Sequence, residues 1–299
     1  MATGADVGLL ARRCFRDGEA ASVRPGGSVR GAQRTQTLIA AGAPAIFEAT
    51  FHSDRGLQAS VDILARGQRG WRLIEVKSST SVKEEHLPDV AFQLYLARAL
   101  GLEIEDVEVL HLNSDYVRRG ALELEALFTG VSVIEAAEAL LPTVEANAAQ
   151  LRRLLDDGEL PEVRIGAHCL KPRPCDWQDQ CWADVPQGSV LVIAYLTWDR
   201  KFQLFDQGFV RMDDLPEDIE LPKRSRRHVE AARRARPIVN AAGLRVVLDG
   251  LTFPIAFLDF ETAAPAVPRW DRPHPYPQIP FQYCLDVGGP PTAGAGDGG

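Results

Sequence analysis

The sequence predicts an α/β fold, a mixed central sheet flanked by helices, from three observations. Apolar runs with strand-like alternation fill residues 45–77. Ala- and Leu-rich stretches at about 89–101 and 132–157 read as helices. The composition is ordinary for a globular chain of 299 residues, 45% hydrophobic and 25% charged, which excludes a mainly disordered chain, a collagen and a coiled coil. The length suggests two domains.

The elements follow in order. The first residues look helical through Val7, Leu9, Leu10 and Ala11, then loop-rich through Pro25-Gly26-Gly27. AIFEATF at 45–51 reads as a strand, and 57–65 and 71–77 as two more around the turn Gly67-Gln68-Arg69-Gly70. The helix at about 89–101 closes at Gly101, and Val107 to Leu112 is a short strand. A long amphipathic helix spans 132–157. Ser132 with Glu135 forms its capping box, and Pro142 kinks or splits it. Residues 189–211 (VLVIAYL, then KFQLF) read as a β-hairpin region. A basic helix at about 223–236 leads to a buried strand, Pro254 to Phe260, and the Gly/Pro-rich residues 288–299 read as a disordered tail.

No apolar run reaches the roughly 18 residues of a membrane span. MATGADVGLLARRCF has no basic start followed by an apolar stretch, so no signal peptide, a cytoplasmic location and no membrane partner are expected. A net charge of -8 excludes a histone-like binder. It leaves room for a nucleic-acid enzyme, where local patches and metal ions outweigh the sum.

Chemistry concentrates in ASVDILARGQRGWRLIEVKSS. A symmetric turn centred between Gln68 and Arg69 sets Asp62 opposite Glu75 on one face, with Lys77 two residues on. Val61, Ile63, Ile74 and Val76 then form the buried face, and a one-residue slip would bury the charges instead. Paired carboxylates repel unless a cation lies between them, and hard cations such as Mg²⁺ prefer oxygen ligands. Glu48 offers a third carboxylate. Gln93 and Tyr95, on the following helix, can contact a substrate backbone. The plainer alternative is a solvated face with a cross-strand Glu–Lys pair.

Asp62, then Glu75-Val76-Lys77, then Gln93 with Tyr95 resemble in order and spacing the PD-(D/E)XK nuclease superfamily, in its RecB-like branch. The longer text LIEVKSSTSVKEEHLPDVAFQLYLARALGL, followed by HLNSDYV, looks like an uncharacterised bacterial family. In that family a RecB-like nuclease domain precedes an RNase H-like domain of unknown function. The resemblance covers most of residues 5–287 and implies a restriction-endonuclease-like core in residues 1–160. It implies a nuclease dependent on Mg²⁺ or Mn²⁺ and acting on nucleic acid, DNA rather than RNA. Asp62 and Glu75 would bind the metal, with the Val76 carbonyl as a further ligand. Lys77 would be catalytic, Glu48 an accessory acid, and Gln93 and Tyr95 would position substrate. The alternative function is a non-catalytic nucleic-acid-binding module that keeps the fold.

Three of the five cysteines, Cys169, Cys175 and Cys181, lie in HCLKPRPCDWQDQCW, with five residues between each and the next. Zinc ribbons use closer pairs, so this spacing suits a [4Fe–4S] cluster, with zinc or three unrelated buried cysteines as alternatives. RecB-like nucleases often carry such a cluster as a staple, with one ligand before the core and three after it. Cys14 is the upstream candidate. Its segment, GADVGLLARRCFRDGEAASV, nevertheless resembles a family stretch that follows the usual first cysteine, at a position more often apolar. A missing N-terminus would account for this, and His168 is a substitute ligand. Residues 161–188 thus form a cysteine segment, and 189–250 a connecting region. Its helix LPKRSRRHVEAARRAR holds seven Lys/Arg between 223 and 236, for phosphates or simply for solvent. FPIAFLDFETAAPAVPRW sets Asp259 and Glu261 at i and i+2. This resembles the first motif of DnaQ-like, RNase H-fold exonucleases, whose Asp-x-Glu pair binds two metals. Such activity needs later carboxylates, and 38 residues follow Glu261. Residues 251–287 are therefore expected to be the N-terminal fragment of that domain, with exposed apolar strands.

Overall fold

A computed structural model describes residues 4–21, 28–54, 56–158 and 161–289. The expected loop at 25–27 and the tail from 290 onward lie outside them. The chain forms two compact units. One comprises Met1–Glu159 with Phe257–Asp286, and the other Leu160–Ala256 with Val287–Gly299. No helix among the described residues is long and apolar enough to cross a membrane.

The first unit is α/β, with a mixed six-stranded sheet and helices. In chain order its elements are α1 (Gly4–Arg12), β1 (Glu19–Ala20), α2 (Val29–Ala40), β2 (Ala45–His52), β3 (Gln58–Arg66) and β4 (Trp71–Lys77). Then come α3 (Leu87–Ala99), β5 (Ile104–Leu112), α4 (Leu124–Leu127), β6 (Phe128–Ser132) and α5 (Ile134–Asp157). The strands lie in the order β1-β2-β3-β4-β5-β6. The pairs β1/β2 and β4/β5 are parallel, and the others antiparallel.

The β3–β4 hairpin has the register its sequence implies, with Ile63 opposite Ile74 and Arg66 opposite Trp71. Its tip is held from β5. The Glu105 carboxylate accepts the N–H groups of Gln68, Arg69 and Gly70 at 3.1, 2.6 and 3.1 Å. A side chain at Gly70 would come within 2.4 Å of the Glu103 carbonyl, so glycine is needed for this close approach.

Both faces of the sheet are covered, which corrects the one-face pattern expected of the hairpin. Val61 packs with Leu64, Leu73 and Leu94 in one apolar cluster. Ile63 and Ile74 pack with Val7, Ala11 and Leu127 in the other. Helices α3 and α5 cover the first face, and α1 covers the second. The carboxylates of β3 and β4 therefore lie under helices rather than on a solvated surface.

Helix α5 departs from expectation twice. It runs unbroken through Pro142, because its Leu140, Leu141 and Val144 pack on the sheet cluster and tertiary burial outweighs one lost hydrogen bond. Ser132 does not cap it. That residue belongs to β6, and its hydroxyl donates to Asp106 Oδ1 at 2.6 Å.

The second unit contains α6 (Gln178–Cys181), α7 (Trp198–Asp206), α8 (Lys223–Arg233) and α9 (Ala241–Asp249). No hairpin forms at 189–211, where a single bridge joins Ser189 to Arg211. KFQLF is helical because Thr197 caps α7 by accepting the Arg200 N–H, and Phe202 and Leu204 are buried. Val190, Ile193 and Leu196 bury against Val229 of α8 rather than pairing as a strand.

The last strands are β7 (Ile255–Ala263) and β8 (Ile279–Gly288), paired as a two-stranded sheet. The strand expected to be buried is instead exposed over most of its length, including Phe257 and Phe260. A two-stranded ribbon has no neighbouring strands, and no layer of the described residues covers it. The connection between these strands belongs to the first unit, and its Ala266 is buried in the cluster of Val7 and Ile63. Arg118 Nη1 donates there to the Pro268 and Arg269 carbonyls at 2.9 and 3.0 Å.

Candidate active site

The site begins where β3 and β4 part. Their ladder ends at Ile63–Ile74, one pair short of Asp62 and Glu75. Beyond it the Val76 N–H donates to Asp62 Oδ2 at 2.8 Å instead of to a strand carbonyl. A carboxylate thus replaces a ladder acceptor, which fixes the Asp62 side chain in the fork. Its pKa is raised by burial, against the Val76 hydrogen bond and the nearby Lys77.

Glu75 is held on both oxygens. Lys77 Nζ donates to Oε1 at 2.7 Å, and Gln93 Nε2 donates to Oε2 at 2.8 Å. Gln93 also reaches the Ser60 carbonyl at 3.2 Å and so ties α3 to β3. Burial, and secondly the Asp62 charge, push the Glu75 pKa up to about 7, against the pull of Lys77. Lys77 has a second carboxylate partner, Asp89 Oδ2, at 2.9 Å. Its two carboxylates raise its pKa in spite of burial, so the side chain stays an ammonium.

Glu48 completes the cluster. It sits mid-strand with φ of 52°, in the left-handed region that costs a non-glycine residue about 1–3 kcal/mol. The β2–β3 ladder pairs Phe47 with Ile63 and Ala49 with Val61 but passes over Glu48. The faces change there too. Phe47 packs in the cluster with Ile63, whereas both Ile46 and Ala49 pack in the cluster with Leu64. The irregularity re-aims one side chain beside Asp62. Arg12 of α1 pairs with Glu48 and lies 5.6 Å from the Phe47 ring centre. Burial, then Asp62, raises the Glu48 pKa, while Arg12 opposes the rise. Glu48, Glu75 and Gln93 are only 5%, 9% and 4% exposed. A cavity of about 550 Å³ between α1 and the sheet is lined by Arg12, Glu48, Asp62, Glu75, Val76 and Lys77.

Asp62 raises the pKa of both Glu48 and Glu75, and carboxylate oxygens are the donors that hard cations take. Asp62 and Glu75 fit such an ion in chemistry. Among the described residues, no group of three or more His, Cys, Asp and Glu is gathered closely enough to hold a metal. Among the described residues the cysteine segment gathers no group of three metal-ligating side chains. Cys169 is buried and bonds through its carbonyl to the Cys175 N–H at 2.9 Å, whereas Cys175 and Cys181 are exposed thiols. His168 brings no further ligand to them. Cys14 packs with the α1 cluster, and burial, then Glu125, raises its thiol pKa.

The structure brings Asp62, Glu75, Lys77, Glu48 and Gln93 together. Tyr95 is half-buried and does not line the cavity. Two positions along a helix turn a side chain by about 200°, so Tyr95 points away from Gln93. Asp259 and Glu261 are exposed on β7, and the Asp259 carboxylate accepts the Phe260 N–H at 2.9 Å. On α8, Arg233 donates to the Met212 carbonyl, and Arg224 lies 5.2 Å from the Tyr195 ring centre. Arg226 and Arg227 are exposed. Sequence reasoning missed Arg12 and Asp89. Arg12 lies 36 residues from its partner, and only the Asp89 spacing, two residues after Leu87 at the start of α3, hints at a helix-start acid.

Residues 256–294 match the model of a family described as a domain of unknown function, DUF2779. This stretch includes Asp259, Glu261 and Tyr276. No curated protein matches the chain.

Proposed function

We propose that this chain is a metal-dependent nuclease of the PD-(D/E)XK type that hydrolyses phosphodiester bonds, with DNA as the favoured substrate. The observation that carries the reading is the meeting of Asp62, Glu75 and Lys77 in the fork between β3 and β4, inside one cavity. Asp62 and Glu75, with the Val76 carbonyl, would hold Mg²⁺ or Mn²⁺. Bound there, the ion supplies a lowered water pKa and charge neutralisation at the phosphoryl group.

The chain's own groups have separable tasks. Lys77, fixed between Glu75 and Asp89, is a cation that offsets charge developing on the phosphoryl oxygens. Its two carboxylate partners raise its pKa against burial and favour the ammonium form. Gln93 orients Glu75 through Oε2, and the Val76 N–H orients Asp62. Arg12 neutralises Glu48 at the cavity wall.

The test is cleavage of labelled single- and double-stranded DNA with Mg²⁺, Mn²⁺ or EDTA, comparing wild type with Lys77→Ala. Metal-dependent cleavage that falls at least about a hundredfold in the variant is expected. Equal cleavage by a folded variant refutes the assignment. One observation favours the second reading, a nucleic-acid-binding module without turnover. Lys77 and Gln93 already occupy both Glu75 oxygens. That reading expects binding in EDTA and no cleavage with any divalent ion.

A further inference from the structure

A second cavity, of about 420 Å³, adjoins the first and shares Lys77 and Ser78 with it. Its remaining walls come from the loop between β4 and α3 and from Tyr276, a residue of the stretch matching the domain of unknown function. The Tyr276 hydroxyl donates to the Ser78 carbonyl at 2.8 Å and pins the loop. The Ser79 hydroxyl donates to the Ser81 carbonyl at 2.7 Å and closes its turn. Thr80 and Ser81 add further hydroxyls to the wall.

His86 is 7% exposed. Its Nδ1 accepts the Lys83 N–H at 3.1 Å, so the neutral ring carries its proton on Nε2 and is a donor there. Burial lowers its pKa and keeps it neutral. Lys83 Nζ lies 3.6 Å from Glu85, the carboxylate on the rim, and its side chain is 56% exposed. An exposed pair of that length holds weakly and yields to a stronger anion.

We propose that this cavity binds a phosphate group of the nucleic-acid strand, next to the one under attack, through Lys83, His86 and the loop hydroxyls. The inference rests on the nuclease reading and deepens it. Hydroxyls, a neutral imidazole donor and an ammonium suit a phosphate, which accepts on every free oxygen. The shared Lys77–Ser78 wall makes the two cavities neighbours along one strand.

The experiment measures binding of a labelled single-stranded oligonucleotide to the full chain in EDTA, across a salt titration, alongside Mg²⁺-dependent cleavage. Variants are Lys83→Ala, Thr80→Val and, as a charge control, Lys171→Ala, which alters an exposed pair with Asp199 in the other unit. Lys83→Ala is expected to weaken binding about tenfold and to lower the salt slope by about 0.7. Thr80→Val, which removes no charge, is expected to weaken binding without changing the slope. Cleavage by wild type with unchanged affinity in Lys83→Ala overturns the phosphate site and spares the nuclease reading. Binding that depends on Lys83, without cleavage in any metal, supports the site and overturns the nuclease reading. Equal losses in Lys83→Ala and Lys171→Ala overturn the site, as does a wild type that binds inorganic phosphate but no oligonucleotide.

Discussion

Glu75→Gln removes a buried charge and keeps the shape of the side chain. In the folded protein the Glu75 pKa is pushed up to about 7 from its ordinary 4.5. The folded state therefore holds this proton more tightly than the unfolded chain does. The stability it lends is complete below about pH 4.5 and is lost as pH rises through about 7. That interval, at about 1.4 kcal/mol per pH unit, is worth about 3 kcal/mol. The variant lacks the titration, so its stability relative to wild type should rise by about 2–3 kcal/mol between about pH 5 and pH 8 in EDTA. Urea titration with pulsed hydrogen exchange, read on peptides of β3–β5, reports the sheet unit by itself. Mg²⁺ should flatten the wild-type dependence by favouring the carboxylate and leave the variant unchanged. A variant-minus-wild-type difference that stays constant with pH would refute a buried, crowded Glu75.

Further outcomes follow from the same geometry. Arg12→Ala strands Glu48 without its cation and should destabilise the sheet unit by about 2 kcal/mol near neutral pH. Adding Glu48→Gln should recover most of that loss in the same exchange assay. Ile74→Ala opens a cavity beneath Ile63 in a fully buried position and should cost about 2–5 kcal/mol, measured as a lower urea midpoint. In the native chain, a thiol reagent should react quickly with Cys175, Cys181 and Cys284, which are exposed, and slowly with Cys14 and Cys169. Slow reaction at Cys175 and Cys181, together with absorbance near 400 nm after anaerobic iron and sulfide loading, would instead reveal a cluster on that segment.

The hairpin was legible in the chain because its determinants are local. A four-residue polar turn and flanking alternation specify which residues meet, and Ile63 does face Ile74. The basic helix was legible for a similar reason, since its polar face and the buried Ser225 and Val229 share one period. The segment at 198–206 was misread because KFQLF is short and apolar enough for either period. Burial against α8 decided for helix. Ser132 failed as a cap because pairing with Glu108 across the β5–β6 ladder claimed it for a strand.

For the candidate site, the sequence by itself determined which acids and which lysine stand close along the hairpin. Backbone register is a short-range property, so Asp62, Glu75 and Lys77 could be associated without a fold. Only the tertiary structure decided that helices cover both faces of the sheet. That burial turns a solvated acidic face into a crowded one and pushes Glu75 up to about 7. Arg12, Asp89 and the left-handed Glu48 enter in the same way. Their partners are chosen by packing between distant segments, and desolvation exists only once those segments have closed over the charges.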